Sequence, residues 1–202
     1  MIKAIIFDFD GVIVDSEKTK FNDLNKILKG LGYKQIKDFS NFIGKKTGKI
    51  LTENFSGISE DEIVEITELR RKNLAMKISP LIDGVKTFIE NKAKNLSLAI
   101  VTGTERDIVI KHLLHYSLDN FFHTIVGGED FDNSKPDPEP YIVALDRLGL
   151  VGSEVVVLED SQAGIDSAKS AGCRVFGFEK YMLNLRNADM YFRKYGEIED
   201  FI

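Results

Sequence analysis

The chain has 202 residues, enough for one full domain and a modest second one, each with a core of its own. With 43% hydrophobic and 29% charged residues it sits in the ordinary globular range, which excludes a disordered chain. A formal net charge of -5 with scattered basic residues argues against nucleic acid as a partner, because phosphate backbones are held by concentrated Lys and Arg.

Residues 3–7 form a β-rich run with no polar alternation, as in a strand buried on both faces of a parallel sheet. Asp8 and Asp10 follow at once, so the run reads as a core strand and not as a signal peptide. From Asp15 to about Ser79 no strand pattern occurs. Residues 21–31 and 60–76 carry helical periodicity instead, and Pro80 with Asp83-Gly84 marks a return of the chain. An all-helical unit of residues 15–80 is therefore expected, inserted into a core made of 1–14 and 81–202. In that core, helical patterns at 85–94, 106–114, 138–148 and 163–170 alternate with strand-like runs at 96–101, 124–127, 155–158 and 174–178. Residues 188–192 read as a short edge strand before a last turn near Glu197. The fold class is α/β, a doubly wound, Rossmann-like parallel sheet. Cys173, the single cysteine, excludes an intrachain disulfide and is expected as a buried, inert thiol. No segment reaches about 18 uninterrupted apolar residues, so no membrane partner is expected and the cytoplasm is the default location.

Ligands of open parallel sheets bind beyond the carboxyl ends of the strands, so residues just after each strand belong together. Asp8-Phe9-Asp10-Gly11 follows the first strand, Thr102-Gly103-Thr104 the second, and Glu159-Asp160-Ser161 the fourth; Lys135 lies in Ser134-Lys135-Pro136-Asp137-Pro138 after the third. Taken singly, each has a plain explanation: a capped turn, an N-cap Thr, a solvated Lys, a helix-capping acid. Together they gather at one edge of one sheet. Two carboxylates one residue apart, leaving a buried strand, need a cation or a proton between them. Carboxylates of Asp8 and Asp160, with the Asp10 carbonyl and water, would give the oxygen octahedron that Mg²⁺ prefers. The Thr102 hydroxyl and nearby backbone N–H groups suit an anion at a helix head, and Pro136 and Pro138 would stiffen the loop carrying the Lys135 ammonium.

These motifs, in this order, resemble those of the haloacid dehalogenase-like superfamily, in its branch with a small helical cap that includes β-phosphoglucomutase and many sugar-phosphate phosphatases. Asp8-Phe9-Asp10-Gly11-Val12 looks like the first family motif, Thr102 the second, Lys135 in Lys-Pro-Asp-Pro the third, and Glu159-Asp160-Ser161-Gln162-Ala163-Gly164 the fourth. Asp15-Ser16-Glu17 and Asp83-Gly84-Val85 resemble the family's passages into and out of the cap. The resemblance implies Asp8 as nucleophile, Asp10 as general acid and base, and a phosphate site of Asp8, Gly11, Thr102, Gly103 and Lys135. It implies Mg²⁺ at Asp8, Asp10, Glu159 and Asp160. In the cap, where many relatives carry a His, this chain has Lys20 or a neighbour. Lys45, Lys46 and Lys49 of the 44–49 loop, and Lys72 beside Arg71 and Asn73, resemble substrate-contacting positions; a solvated basic surface is the alternative.

The expected function is thus Mg²⁺-dependent phosphatase action on a small phosphorylated metabolite, such as a sugar phosphate, by a monomer. A phosphomutase and a non-catalytic binding protein are the competing readings, the latter because fold does not establish function.

Overall fold

Aliphatic runs with no polar alternation need cover on both faces, and the computed structural model of the chain gives it to them in a six-stranded, wholly parallel sheet. Residues 1–40, 42, 45, 47–180 and 184–202 are described. The strands are β1 (Ala4–Phe7), β2 (Ser97–Val101), β3 (Thr124–Val126), β4 (Val155–Glu159), β5 (Arg174–Phe178) and β6 (Met190–Phe192), in the order β3-β2-β1-β4-β5-β6. The chain forms two compact units, one of Met1–Asp15 with Pro80–Ile202 and one of Ser16–Ser79. Asp15 and Pro80 both belong to the first, one residue inside the boundaries read from sequence. The reason is local: Asp15 N–H donates to Pro80 O at 2.7 Å, and Val14 bridges Leu81 in antiparallel fashion.

In the first unit the alternation along β1 divides the core. Ile5 and Phe7 pack with Val85, Phe88 and Ile89 of α4 (Val85–Lys92) and Val109 and Leu113 of α5 (Arg106–Tyr116). Ala4 and Ile6 point the other way, toward Tyr141 and Ala144 of α6 (Glu139–Leu148) and Ile165 and Ala168 of α7 (Gln162–Ser170). All of these side chains are buried, and each large one contributes about 1.5–3 kcal/mol by leaving water. Ser161 caps α7 by accepting from Gly164 N–H, and Gly149 ends α6 in the left-handed region that a glycine takes without strain.

Among the described residues of the second unit the regular elements are all helices: α1 (Ser16–Gly30), α2 (Thr47–Asn54) and α3 (Glu60–Ala75). They enclose a separate core of Leu24, Leu28, Phe42, Ile50, Leu51 and Ile66. Asn25 closes the turn after α1, its side chain exchanging hydrogen bonds with Ile36 N–H and O at 2.7 and 3.0 Å. A full capping box starts α3: Ser59 accepts from Glu62 N–H, and Glu62 accepts from Ser59 N–H at 2.8 Å. The short α2 has no counterpart among the sequence expectations, since Thr47, Gly48 and Thr52 weaken its helical signal and packing of Ile50 and Leu51 supplies the stability. Among the described residues no helix is long and apolar enough to cross a membrane.

Candidate active site

The register of the sheet brings the chemistry together. Phe7 lies opposite Ile100 of β2 and Leu158 of β4, so one step further on Asp8 is level with Val101 and Glu159. Asp8 N–H still donates to Leu158 O at 2.9 Å, and Thr102 N–H to Val126 O at 3.0 Å, so both residues ride on the last rungs of the ladder. The strand order reverses beside β1, which is where an open parallel sheet leaves a crevice.

Lys135 ties the strand ends to one another. Its ammonium donates to Asp8 Oδ1 at 2.6 Å, Glu159 Oε1 at 2.5 Å and Val101 O at 3.1 Å, three acceptors at the ends of three different strands. Glu159 is fully buried and wholly engaged: Oε1 also accepts from Tyr141 O–H at 2.8 Å, and Oε2 accepts from Ser161 N–H and O–H at 3.2 and 3.0 Å. The Lys135 ammonium stands 5.0 Å from the Tyr141 ring centroid, so the phenol carries both a hydrogen bond and a cation–π contact. A Cβ on Gly164 would fall 1.9 Å from Glu159, so the glycine admits this carboxylate beneath α7.

Asp10 accepts from Thr104 O–H at 2.6 Å, and Thr104 N–H donates to Thr102 Oγ1 at 3.1 Å. Thr102 is buried, and with that lone pair occupied its own hydroxyl hydrogen remains to be donated. Gly103 N–H has no partner among the described residues. Gly11 N–H donates to Val14 O at 2.8 Å within the turn after β1. What it supplies is room. At φ +87° it turns the chain in a way other residues resist, and a Cβ there would lie 1.9 Å from Asp160 Oδ2.

Carboxylate oxygens of Asp8, Glu159 and Asp160 lie within 4.8 Å of one another. Burial pushes the Asp8 carboxyl up to about 8; Lys135 pulls against it, while Glu159 and Asp10 add to it. Burial alone would lower the Lys135 ammonium, but Asp8 and Glu159 outweigh it and hold it well above its ordinary value. Lys135 therefore stays charged and answers only part of the negative charge facing it. A divalent cation suits the remainder, and the donors are all hard oxygens. The carboxylate of Asp10, turned to Thr104, is outside the three-acid group.

The lysines of the helical unit are less committed. Lys45 pairs with Glu53 at 2.7 Å, Lys49 is exposed with Glu53 at 4.0 Å, and Lys72 is exposed on α3; Gly44 and Lys46 lie outside the described residues. Two side chains with no expected role, Thr104 and Tyr141, hold Asp10 and Glu159. The repeated Thr of Thr102-Gly103-Thr104 was a visible signal for the first, whereas Tyr141 reads only as the apolar face of a helix.

Comparison with known proteins gives the chain's family. Residues 5–178 match the family of haloacid dehalogenase-like hydrolases. The chain belongs to this family. Among its relatives, a phosphorylated carbohydrates phosphatase of Thermotoga maritima is 32% identical over 87% of this chain and 85% of its own. A phosphoglycolate phosphatase of Aquifex aeolicus is 28% identical over 86% and 83%. The crystal structure of a CbbY variant from Rhodobacter sphaeroides in complex with xylulose-1,5-bisphosphate is 22% identical, covers 98% of this chain and 97% of its own, and has a TM-score of 0.78; that likeness is one of fold. As a haloacid dehalogenase-like hydrolase with phosphatase relatives, the chain is a phosphoric monoester hydrolase.

Proposed function

We propose that the protein is a Mg²⁺-dependent phosphatase of small phosphorylated metabolites, sugar phosphates among them, working through an aspartyl-phosphate on Asp8. The observation that carries this reading is the setting of Asp8. Lys135 engages its Oδ1, while its Oδ2 has no hydrogen-bond partner among the described residues. One oxygen is thereby held and the other left for attack. Asp8 and Asp160 would hold the cation, with the Asp10 carbonyl; Glu159, already accepting four hydrogen bonds, would reach it through water while fixing Lys135. When bound, Mg²⁺ supplies the positive charge that lets an anionic carboxylate approach an anionic phosphate.

In the first step Asp8 Oδ2 forms a bond to phosphorus as the ester P–O bond breaks, and Asp10 gives a proton to the leaving alkoxide. Thr104 aims that acid by its hydrogen bond. Thr102 O–H, Gly103 N–H and Lys135 donate to the equatorial oxygens, where charge gathers in the transition state. In the second step water attacks the aspartyl-phosphate, Asp10 takes its proton, phosphate departs, and the Asp8 carboxylate is restored.

The test is incubation with aryl phosphates, glucose 1-phosphate and a panel of phosphorylated metabolites, with Mg²⁺ and with a chelator, following free phosphate. Mg²⁺-dependent release, with acid-quenched protein carrying one phosphoryl group that Asp8→Asn cannot carry, is the expected result. Glucose 6-phosphate formed without phosphate release would make the enzyme a mutase. Activity of Asp8→Asn above about a tenth of wild type would remove Asp8 as nucleophile.

A further inference from the structure

Lys135 reaches the strand ends from a connection that has no regular element of its own. It stands nine residues past β3, and Asp132, Asn133, Ser134, Pro136 and Asp137 around it are exposed. Phe131 is the last residue before it to pack on the core, so from there on hydrogen bonds must set the course of the chain.

Those bonds converge on Glu139, the first residue of α6. Its Oε1 accepts from Asp132 N–H at 2.9 Å, and its Oε2 accepts from Asn133 N–H and from Asn133 Nδ2, both at 2.8 Å. An acid in the first turn of a helix is ordinarily served by that helix's own free N–H groups. Glu139 instead turns back across seven and six residues of chain to grip two consecutive peptide groups of the loop. The Asp132 and Asn133 N–H groups hold its carboxyl below the ordinary value, so it is ionised at neutral pH, and a charged acceptor makes the stronger hydrogen bond.

A second fixed point lies on the other side of Lys135. Asp137 N–H donates to Ser134 O at 3.1 Å, Asp137 Oδ1 accepts from Glu139 N–H at 2.9 Å, and Asp137 O accepts from the hydroxyl of Ser167, a buried residue of α7. Lys135 thus has an anchored residue two positions before it and another two positions after it. Two residues beyond Glu139, Tyr141 donates to Glu159, one of the acceptors of the Lys135 ammonium. The first turn of α6 therefore sets both the chain that carries the lysine and an acid that receives it.

We propose that Glu139 is a positioning residue: without touching substrate, it holds the loop so that Lys135 enters the cluster of strand ends at one depth, in place for the phosphoryl group. The effect on rate rests on the phosphatase reading given above; the seating of Lys135 does not. Removing the carboxylate strips Asp132 and Asn133 of their acceptor and leaves the loop to its Asp137 anchor and to the three acceptors of Lys135 itself. A displacement of about 1 Å in a reacting constellation costs on the order of 100-fold in rate, so a fall of roughly 10- to 100-fold in kcat is expected.

Two measurements on the full chain test this, and only one needs turnover. The ¹⁵N ammonium resonance of Lys135, identified by its loss in the charge-conserving Lys135→Arg, is compared in wild type, Glu139→Gln and Glu139→Ala. A shifted or broadened resonance is expected in Glu139→Ala, and a smaller change in Glu139→Gln, which keeps one acceptor oxygen. A resonance unmoved in Glu139→Ala overturns the proposal whether or not the protein is a phosphatase. The second measurement is kcat on an aryl phosphate beside the urea midpoint, with Ser59→Ala as a control that loses stability in the helical unit. Glu139→Ala should lose rate, Glu139→Gln should recover part of it, and Ser59→Ala should keep the wild-type kcat. A Glu139→Ala protein with a lowered midpoint and wild-type kcat would show that Glu139 serves stability alone, which also overturns the proposal. Absence of phosphate release by wild type would remove the phosphatase reading instead, and the resonance then decides the seating of Lys135.

Discussion

Gly11→Ala probes the proposed cation site without removing any charged group. The added Cβ would stand 1.9 Å from Asp160 Oδ2 and 2.6 Å from its Cγ, well inside van der Waals contact, so the carboxylate must retreat by roughly 1 Å or more. The backbone cannot easily yield instead, because φ is +87° and an alanine there adds about 1–2 kcal/mol of strain. A misplacement of about 1 Å in a reacting constellation costs on the order of 100-fold in rate. The expected outcome is therefore a split: a modest fall in the urea midpoint, and a loss of about 100-fold in kcat/KM on an aryl phosphate, with more Mg²⁺ needed for half-maximal rate. Adding Asp160→Gly to the same chain removes the clash, so stability should return in part while activity does not. Wild-type rate and wild-type Mg²⁺ dependence in Gly11→Ala would refute the placing of Asp160 at the cation, since its carboxylate cannot stay where it is beside that methyl group.

Tyr141→Phe removes the donor to Glu159 Oε1, a hydrogen bond of 2.8 Å to a fully buried charge, and should cost about 1.5–3 kcal/mol of stability in denaturant unfolding together with activity; an unchanged unfolding midpoint would mean that Glu159 is held by Lys135 and Ser161 alone. Asp10→Asn keeps an acceptor for Thr104 but cannot cycle a proton, so a burst of leaving group without sustained turnover is expected for activated aryl phosphates, whose leaving groups need little protonation. Ser59→Ala breaks the capping box of α3 and should destabilise the helical unit by about 1 kcal/mol, read by circular dichroism during unfolding. Tyr33 and Ser59 hold the Glu62 carboxyl down at about 2, below the ordinary 4.5. A lowered folded-state value means that this contribution is present above pH 4.5 and is lost as pH falls toward 2, so Glu62→Gln should flatten the acid dependence of stability in that window.

How much of this was legible in the sequence depends on whether a residue's task is announced by its neighbours in the chain. Asp8 and Thr102 directly follow apolar runs, and Asp160 stands one residue further, past Glu159; an apolar run in an alternating α/β pattern reads as a strand whose end faces the ligand crevice. The same rule carried Lys135, although it stands nine residues beyond β3, because Pro136 and Pro138 mark its loop as built rather than slack. Glu159 was legible as an acid but not as a hub, since its four hydrogen bonds come from the loop after β3, from α6 and from the turn beyond itself. Tyr141 and Arg70 could not be read at all from local pattern. Each occupies the inward position of an ordinary amphipathic helix, and only the fold shows that the first meets a buried carboxylate while the second meets a cavity.

The two cases differ in a way that bears on function. At the sheet edge, Lys135 has Asp8 and Glu159 within 2.6 Å and could not be removed without leaving two buried acids uncompensated, so chemistry and stability there rest on the same contacts. Arg70 meets a hydroxyl and an aromatic face and, among the described residues, no acid within ion-pairing distance, so its contacts are those of packing and not of a charge hub.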